Sequence, residues 1–283
     1  MELSLLTRNM LIYLIAKRSQ LRAQRDRIRS LVLGSSHGDF GFDPDFCGDS
    51  FNLCSRSQDL QYAFHLYKQV GPCLPRMDNL VLFYSVFSSG SFLDKSPSET
   101  GIGPALNETF GLGMSYDQAE LAQIAASLEG QLHDRSFEIG GHCGFFPGFH
   151  KTFFDESYGV QRRANEHMKL NRKNDANVYL MQTFLLARAL KHRPWVVIPP
   201  ARQDYKDACG LGFDALFSDL IEILDLVKMF YPDLQVGLIN LYDDGDFRDE
   251  HFGDFDHLLP DGEGPKLLAR KIDEIINRSI AAV

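Results

Sequence analysis

Short apolar runs alternate along the chain with longer stretches in which apolar residues recur at helical spacing. Five of the apolar runs are rich in strand-forming residues and end at polar or turn-forming residues: Ser30-Leu-Val-Leu-Gly34, Ser50-Phe-Asn-Leu-Cys54, Asn79–Tyr84, Trp195–Ile198 and Val236–Leu241. Helical periodicity occupies the segments Gln58–Val70, Tyr116–Leu132, Asp175–His192, Gly212–Phe230 and Gly264–Ile280. This alternation predicts an α/β protein whose mostly parallel five-stranded sheet lies between two helical layers, a three-layer αβα architecture.

The third and fourth predicted strands are too far apart in the chain to be joined by a single crossover helix. We therefore predict that residues from about 88 to 171 form an insertion over the carboxyl ends of the strands, where ligands of such sheets bind. The domain prediction is a basic amphipathic helix over residues 1–29, followed by one α/β domain over residues 30–283 that contains the insertion.

The N-terminal segment combines an apolar stretch, Leu3 to Ala16, with seven cationic residues against two anionic ones in residues 1–30. The stretch is too short for a membrane-spanning helix, which needs roughly 18 apolar residues, and it lacks the charge order of a secretory signal. A basic helix of this kind can contact an anionic membrane surface peripherally or bind a partner's groove. The alternative is a helix that docks on its own domain with a solvated basic face.

Composition narrows the function classes. The chain of 283 residues is 44% hydrophobic and 24% charged, as expected of a globular protein. Its net charge of -9 opposes nucleic-acid binding, because nucleic-acid partners require a basic surface. Five scattered cysteines without a C-x-x-C pair indicate a reducing compartment. We therefore predict a cytoplasmic protein, with the peripheral membrane contact as a further hypothesis.

Two distant segments carry residues suited to nucleophilic catalysis. In Gly34-Ser35-Ser36-His37-Gly38, directly after the first strand, a tight turn would expose the Ser36 hydroxyl and free its backbone N–H. Such a serine needs a base and a carboxylate that orients the base. The segment Asp254-Phe-Asp-His257 supplies both, because this spacing allows Asp254 to reach Nδ1 of His257 while Nε2 faces Ser36. Asp256 is a competing carboxylate with poorer geometry.

Each of these residues also has an ordinary structural interpretation. Ser36 could cap the following helix, since serine is common at helix N-termini. His257 could be a hydrogen-bonded core histidine, and Asp254 could belong to the acidic surface of the segment Asp243–Glu263. The catalytic interpretation requires contact between Ser36 and His257, whereas the structural interpretation does not.

The serine turn and the Asp254-x-x-His257 pair occur together with further local motifs: Ser50-Phe-Asn-Leu, Asn171-x-x-Asn-x-x-Asn177-x-Tyr-Leu, Pro199-Pro200 with Tyr205, and a closing Gly262. This combination resembles the SGNH (GDSL-type) hydrolase superfamily, especially its branch in bacterial glycan and capsule biosynthesis. The similarity is scattered over residues 30 to 275, with little between 90 and 150. It implies a flavodoxin-like sheet order, with Ser36 as nucleophile, His257 as base and Asp254 as its orienting carboxylate.

The chain departs from that family where further oxyanion donors are expected. Ser55-Arg56-Ser57 replaces the glycine block after the second strand, and Ser85-Val-Phe-Ser88 replaces the Gly-x-Asn after the third. We predict that the backbone N–H groups of Ser36 and Ser55, with a hydroxyl of Ser85 or Ser88, take this role.

The resemblance implies an acyl-ester enzyme that works through an acyl-serine intermediate on an acylated or acceptor carbohydrate. With water as acceptor it would be an acetylesterase, and with a sugar hydroxyl an O-acetyltransferase. Acetyl-CoA is the candidate donor, and no tightly bound cofactor is predicted. His37, Ser88 and Tyr205 are the predicted substrate-binding residues.

Two other functions compete. Gly34-x-x-x-Gly38-x-x-Gly41 after a strand resembles a dinucleotide-binding glycine pattern, but the acidic residue expected at the end of the second strand is missing. The departures at the oxyanion positions also fit a non-catalytic glycan-binding protein.

Metal and anion sites have weaker support in the sequence. No spacing typical of metal ligands supports a cation at Asp249, His251, Asp254 and Asp256, so no metal is predicted. His142-Cys143 is interpreted as packed. The basic stretch Arg162–Lys173 is either a solvated helix face or a contact for an anionic glycan or phosphate.

Overall fold

The predicted sheet is present in the computed structural model, which describes residues 5–133, 140–149 and 154–281. All neighbouring strands are parallel, in the order β2-β1-β3-β4-β5. The strands are β1 (Ser30–Leu33), β2 (Ser50–Asn52), β3 (Asn79–Phe83), β4 (Arg193–Ile198) and β5 (Gly237–Asn240). The α/β class and the five-stranded parallel sheet are therefore confirmed.

Two hydrophobic cores, one on each face of the sheet, explain why the strands are continuous apolar runs. Leu31 of β1 lies opposite Leu80 of β3 and belongs to one core, whereas the next pair, Val32 and Val81, belongs to the other. Successive side chains of a strand point to opposite faces, so a strand covered on both sides must be apolar at every position.

The described residues contain the helices α1 (Leu5–Gln24), α2 (Ser36–Gly41), α3 (Leu60–Val70), α4 (Ile102–Phe110), α5 (Gln118–His133), α6 (Val160–Asn171), α7 (Asn177–Leu190), α8 (Gln203–Cys209), α9 (Phe213–Leu216), α10 (Ser218–Phe230) and α11 (Gly264–Ala281). The second core includes apolar residues of α11, and the first includes those of α1, α3, α7 and α10. Helices thus cover both faces of the sheet, which completes the three layers.

Helix boundaries differ from the prediction where capping decides them. The helix predicted from Gln58 begins at Leu60, because the Asp59 carboxylate accepts the N–H of Tyr62 at 2.8 Å and caps the first turn. The stretch predicted as one helix from Gly212 is divided into α9 and α10 at Phe217.

The predicted insertion contains α4, α5 and α6. Helix α4 packs on α1, and α6 packs on α8 and approaches the carboxyl ends of the strands. Residues 140–149 run beside β2, where the carbonyl of Cys143 accepts the N–H of Asn52 at 2.8 Å. This contact covers part of the exposed edge of the sheet. The remainder of the Gly/His/Phe-rich loop, residues 139 and 150–153, lies outside the described residues.

The N-terminal helix docks on its own domain. Met10, Leu11, Leu14 and Leu21 are buried in the core, and the side chain of Lys17 is fully buried. Of the two alternatives for this segment, the structure shows the helix docked on its own domain, with its apolar face covered. No helix in the described part of the chain is long and apolar enough to cross a membrane.

Candidate active site

Ser36 is placed by two glycines that let a helix begin directly against the sheet. Gly34 follows β1 with φ +143°, and a Cβ there would lie 2.6 Å from Cβ of Phe83. A Cβ on Gly38 would lie 2.5 Å from Sγ of Cys54. The chain therefore turns at Gly34, and Ser36 becomes the first residue of α2.

The structure brings the three predicted triad residues together. Oγ of Ser36 lies 2.8 Å from Nε2 of His257. Nδ1 of His257 lies 2.9 and 3.0 Å from the two oxygens of Asp254. Oδ1 of Asp254 also accepts the backbone N–H groups of Asp256 at 3.1 Å and of His257 at 2.9 Å, which fixes the carboxylate. This geometry suits a proton transfer from the serine hydroxyl to the imidazole.

The charges around this pair favour a positive imidazole and a negative carboxylate. Burial by itself would lower the pKa of His257, but the negative charges of Asp254 and Asp256 outweigh it and leave that pKa above its ordinary value. Burial likewise opposes the charge of Asp254, yet the adjacent imidazole holds its pKa below the usual carboxyl range. Asp254 is thus an ionised orienting group and not a proton acceptor.

Ser36 and His257 open into a cleft of about 440 Å³. Its wall is formed by the loop after β2, by residues 98–99 and 155–158 of the insertion and by α6. The polar residues of this wall are Arg56, Ser57, Ser98, Glu99, Asp155, Tyr158, Arg163 and Glu166. The insertion therefore covers the edge of the sheet that carries Ser36 and His257, as the sequence predicts.

The cations of the cleft are paired with acids. Arg56 donates to Oε1 of Glu99 at 2.8 Å, and Nε of Arg163 donates to Oδ1 of Asp256 at 3.2 Å. Arg162 contacts Glu166 at 3.4 Å. At Arg163, neither the solvated helix face nor the anion contact predicted for the basic stretch holds. Its side chain is only 31% exposed, and its guanidinium is already paired with Asp256.

The predicted oxyanion donors are only partly placed for that role. The N–H of Ser55 donates to the carbonyl of Gly34 at 3.1 Å and is therefore committed to the fold. The Ser85 hydroxyl lies 2.9 Å from Nδ1 of His37, and the Ser88 hydroxyl accepts the N–H of Ser85 at 2.8 Å. Neither hydroxyl lines the cleft that holds Ser36. The assignments of Ser55, Ser85 and Ser88 are corrected.

Two other N–H groups at the cleft have no acceptor in the described part of the chain. One belongs to Ser36, the first residue of α2, where a helix leaves its N–H groups unsatisfied. The other belongs to Ser57, in the turn closed by the hydrogen bond from Gln58 to Ser55. Ser57 has φ +57°, a left-handed conformation that usually favours glycine. This residue was missed from the sequence, where only a glycine would have marked the conformation.

The predicted substrate-binding residues His37 and Tyr205 are also corrected. Both are buried and line a separate, almost filled pocket. The ring of His37 stacks on His257 with 4.6 Å between centroids, and the Tyr205 hydroxyl lies 2.6 Å from Nδ1 of His167. His37 therefore packs against His257, Tyr205 contacts His167, and neither side chain lines the cleft.

A buried ion pair between α1 and α2 holds α2 in place. Nζ of Lys17 lies 2.7 Å from Oδ1 of Asp39 and also contacts the carbonyl oxygens of Asn52 and Cys54. The Asn52 side chain donates to the carbonyls of Gly38 at 2.8 Å and Phe42 at 2.9 Å. The N-terminal helix is thereby joined to the segment that carries the nucleophile.

Among the residues that the structure describes, two groups of His and Asp side chains lie close enough to surround a cation. One is Asp43, Asp45 and His142, outside the cleft, and the other is His37, Asp256 and His257. In the second group, His257 is hydrogen-bonded to Ser36 through Nε2 and to Asp254 through Nδ1, so we interpret it as a hydrogen-bonded network. The group considered from the sequence, with Asp249 and His251, is not among them.

Comparisons with known proteins assign no family to this chain, so any functional assignment rests on the geometry described above. A scan against protein-family models and a search of the curated proteins find no match for this chain.

Proposed function

We propose that this protein is a serine-dependent acyl-ester enzyme of the SGNH type. The observation that supports it is the continuous hydrogen-bonded line from Ser36 through His257 to Asp254, at the edge of an open cleft. A histidine that only stabilised the core would have no reason to place Nε2 2.8 Å from a cleft-facing serine.

In this mechanism, His257 takes the proton of the Ser36 hydroxyl while Oγ attacks the carbonyl carbon of an ester. The negative charge on the carbonyl oxygen is stabilised by the N–H groups of Ser36 and Ser57. The imidazolium then protonates the departing alcohol and leaves an acyl-serine. In the second half, His257 deprotonates the acceptor hydroxyl, which takes the acyl group and regenerates Ser36.

The character of the cleft favours an uncharged, hydroxyl-rich substrate. Its wall presents serine hydroxyls, carboxylates and the exposed ring of Tyr158, which together suit an acylated carbohydrate. Arg56 and Arg163 are neutralised by Glu99 and Asp256, so the described part of the cleft wall offers no unpaired cation to a polyanion. Acetyl-CoA remains the candidate donor, with its phosphates outside this region. Water as acceptor makes the protein an acetylesterase, and a sugar hydroxyl makes it an O-acetyltransferase.

The second candidate is a non-catalytic glycan-binding protein. It is favoured by the loss of Ser55 and Ser85 as oxyanion donors, since one such donor typically contributes about 10²–10³ in rate. The dinucleotide-dependent hypothesis is weaker, because Gly34 and Gly38 are packed against Phe83 and Cys54 and leave no room there for a pyrophosphate.

Labelling with a fluorophosphonate probe distinguishes the candidates. An activated Ser36 should react covalently and be identified by peptide mass spectrometry, and the purified protein should hydrolyse 4-nitrophenyl acetate. Ser36→Ala should lose both by about 10⁶-fold while its unfolding transition is unchanged. Ser35→Ala is the matched control, because Ser35 is buried one residue away. An unlabelled wild type, or a fully active Ser36→Ala variant, contradicts the proposal.

Location and membrane contact are kept as predictions. The cytoplasmic location rests on the cysteine content, and a peripheral contact would have to use the cationic side chains near the end of α1, such as Arg22 and Arg25, which are exposed.

A further inference from the structure

A second carboxylate lies beside the catalytic histidine. Asp256 is buried, with 2% of its side chain exposed, and its Oδ1 lies 3.5 Å from Nδ1 of His257. Asp254 lies closer to the same nitrogen, at 2.9 Å. Two acids therefore face one imidazole, and only Asp254 is needed for the triad.

Asp256 is held from two other elements. From α6, Nε and Nη2 of Arg163 donate to its two oxygens at 3.2 and 3.4 Å. From α2, Nε2 of His37 lies 3.1 Å away. His37 is neutral, since burial lowers its pKa, so its Nε2–H donates to Asp256 while Nδ1 accepts from the Ser85 hydroxyl. His167 lies at 3.7 Å.

We propose that Asp256 and Arg163 are positioning residues that set the orientation and basicity of His257 from behind the triad. This inference rests on the proposed function for its catalytic meaning. It gives the insertion a direct part in the site, because Arg163 stands on α6 and also lines the cleft.

The two residues act on His257 with opposite signs. The Asp256 carboxylate favours the imidazolium, and the Arg163 guanidinium opposes it, as their effects on the pKa of His257 show. The other groups that face His257 are Ser36, His37, Asp254 and the rings of Phe40 and Phe154. Of these, only Asp254 adds a charge, and it is common to every variant compared below.

The test is a pH titration of the His257 imidazole by NMR, with the resonance assigned from a His257→Asn variant. Asp256→Asn should lower the midpoint by about one pH unit, and Arg163→Met should raise it by a smaller amount. The double variant should titrate between the two single variants, below the wild type, since the larger of the two opposing charges is removed with the smaller. Arg163→Lys keeps the charge and should move the midpoint least.

Arg162→Met is the control, because Arg162 is on the same helix but two-thirds exposed and paired with Glu166. The rate of fluorophosphonate labelling should follow the same midpoints in each variant. If Asp256→Asn does not fold, Arg163→Met and the double variant still decide the sign.

The two proposals fail separately. Unchanged midpoints in Asp256→Asn and Arg163→Met, or shifts of the same sign in both, overturn the role of the pair even if Ser36 is labelled. An unlabelled Ser36 with opposite shifts of the midpoints overturns the enzyme proposal and leaves the electrostatic coupling established.

Discussion

Two buried ion pairs support the candidate site from opposite sides and differ in what they contact. Lys17 and Asp39 lie under the nucleophile helix, are fully buried, and engage backbone carbonyls. Arg163 and Asp256 lie behind the base, and the guanidinium is 31% exposed toward the cleft. The first pair touches no group that changes protonation in the proposed mechanism, whereas the second faces His257, the proposed base. Similar pairs can thus serve the fold in one place and the chemistry in another.

The largest effect should come from a change at Asp254, which belongs to neither ion pair. Asp254→Asn should reduce the rate of 4-nitrophenyl acetate hydrolysis by about 10⁴, because the amide no longer holds the imidazole tautomer that accepts the Ser36 proton. In Asp39→Asn, the rate of 4-nitrophenyl acetate hydrolysis per folded molecule should fall by less than in Asp254→Asn. A loss in Asp39→Asn as large as that in Asp254→Asn would break the distinction between support and chemistry.

Lys17→Met tests the structural character of the first pair. Removing one partner of a buried ion pair costs about 3–5 kcal/mol, since Asp39 is left as an uncompensated charge in the core. Denaturant unfolding should show this loss in the free energy of unfolding. Arg22→Met, an exposed change on the same helix, should stay within about 0.5 kcal/mol of the wild type. Equal stability of Lys17→Met and Arg22→Met would show that the pair does not stabilise the fold.

The smallest expected effect is a difference in acid sensitivity. Burial opposes the charge of Asp256, but Arg163 and His257 outweigh it and hold its pKa well below the usual carboxyl value. Near pH 4 the unfolded chain therefore binds more protons at this residue, so its contribution to stability is present above about pH 4 and is lost as pH falls. Between about pH 3 and 5, urea unfolding should depend less on pH in Asp256→Asn than in the wild type. Parallel curves would contradict this assignment.

The sequence alone determined the order of strands and helices and the two segments that meet in the site. Strands buried on both faces must be apolar throughout, so the runs at Leu31 and Leu80 were visible as patterns. Ser36 and His257 can be predicted because each lies in a short local motif that suits its chemical role. Ser36 lies in a strand-to-helix turn, and His257 follows Asp254 at an Asp-x-x-His spacing. These are properties of neighbours along the chain.

Only the tertiary structure decided which polar groups surround that site. The sequence predicts Ser55 and Ser85 as oxyanion donors because each follows a strand. In the structure, the N–H of Ser55 donates to the carbonyl of Gly34, and the hydroxyl of Ser85 contacts His37. Arg163 pairs with Asp256 across 93 residues, and Lys17 reaches Asp39 from a helix that composition alone suggests is a surface element. A buried charge is specified by whichever partner the fold brings to it, and that choice depends on packing between distant segments, which no local pattern records.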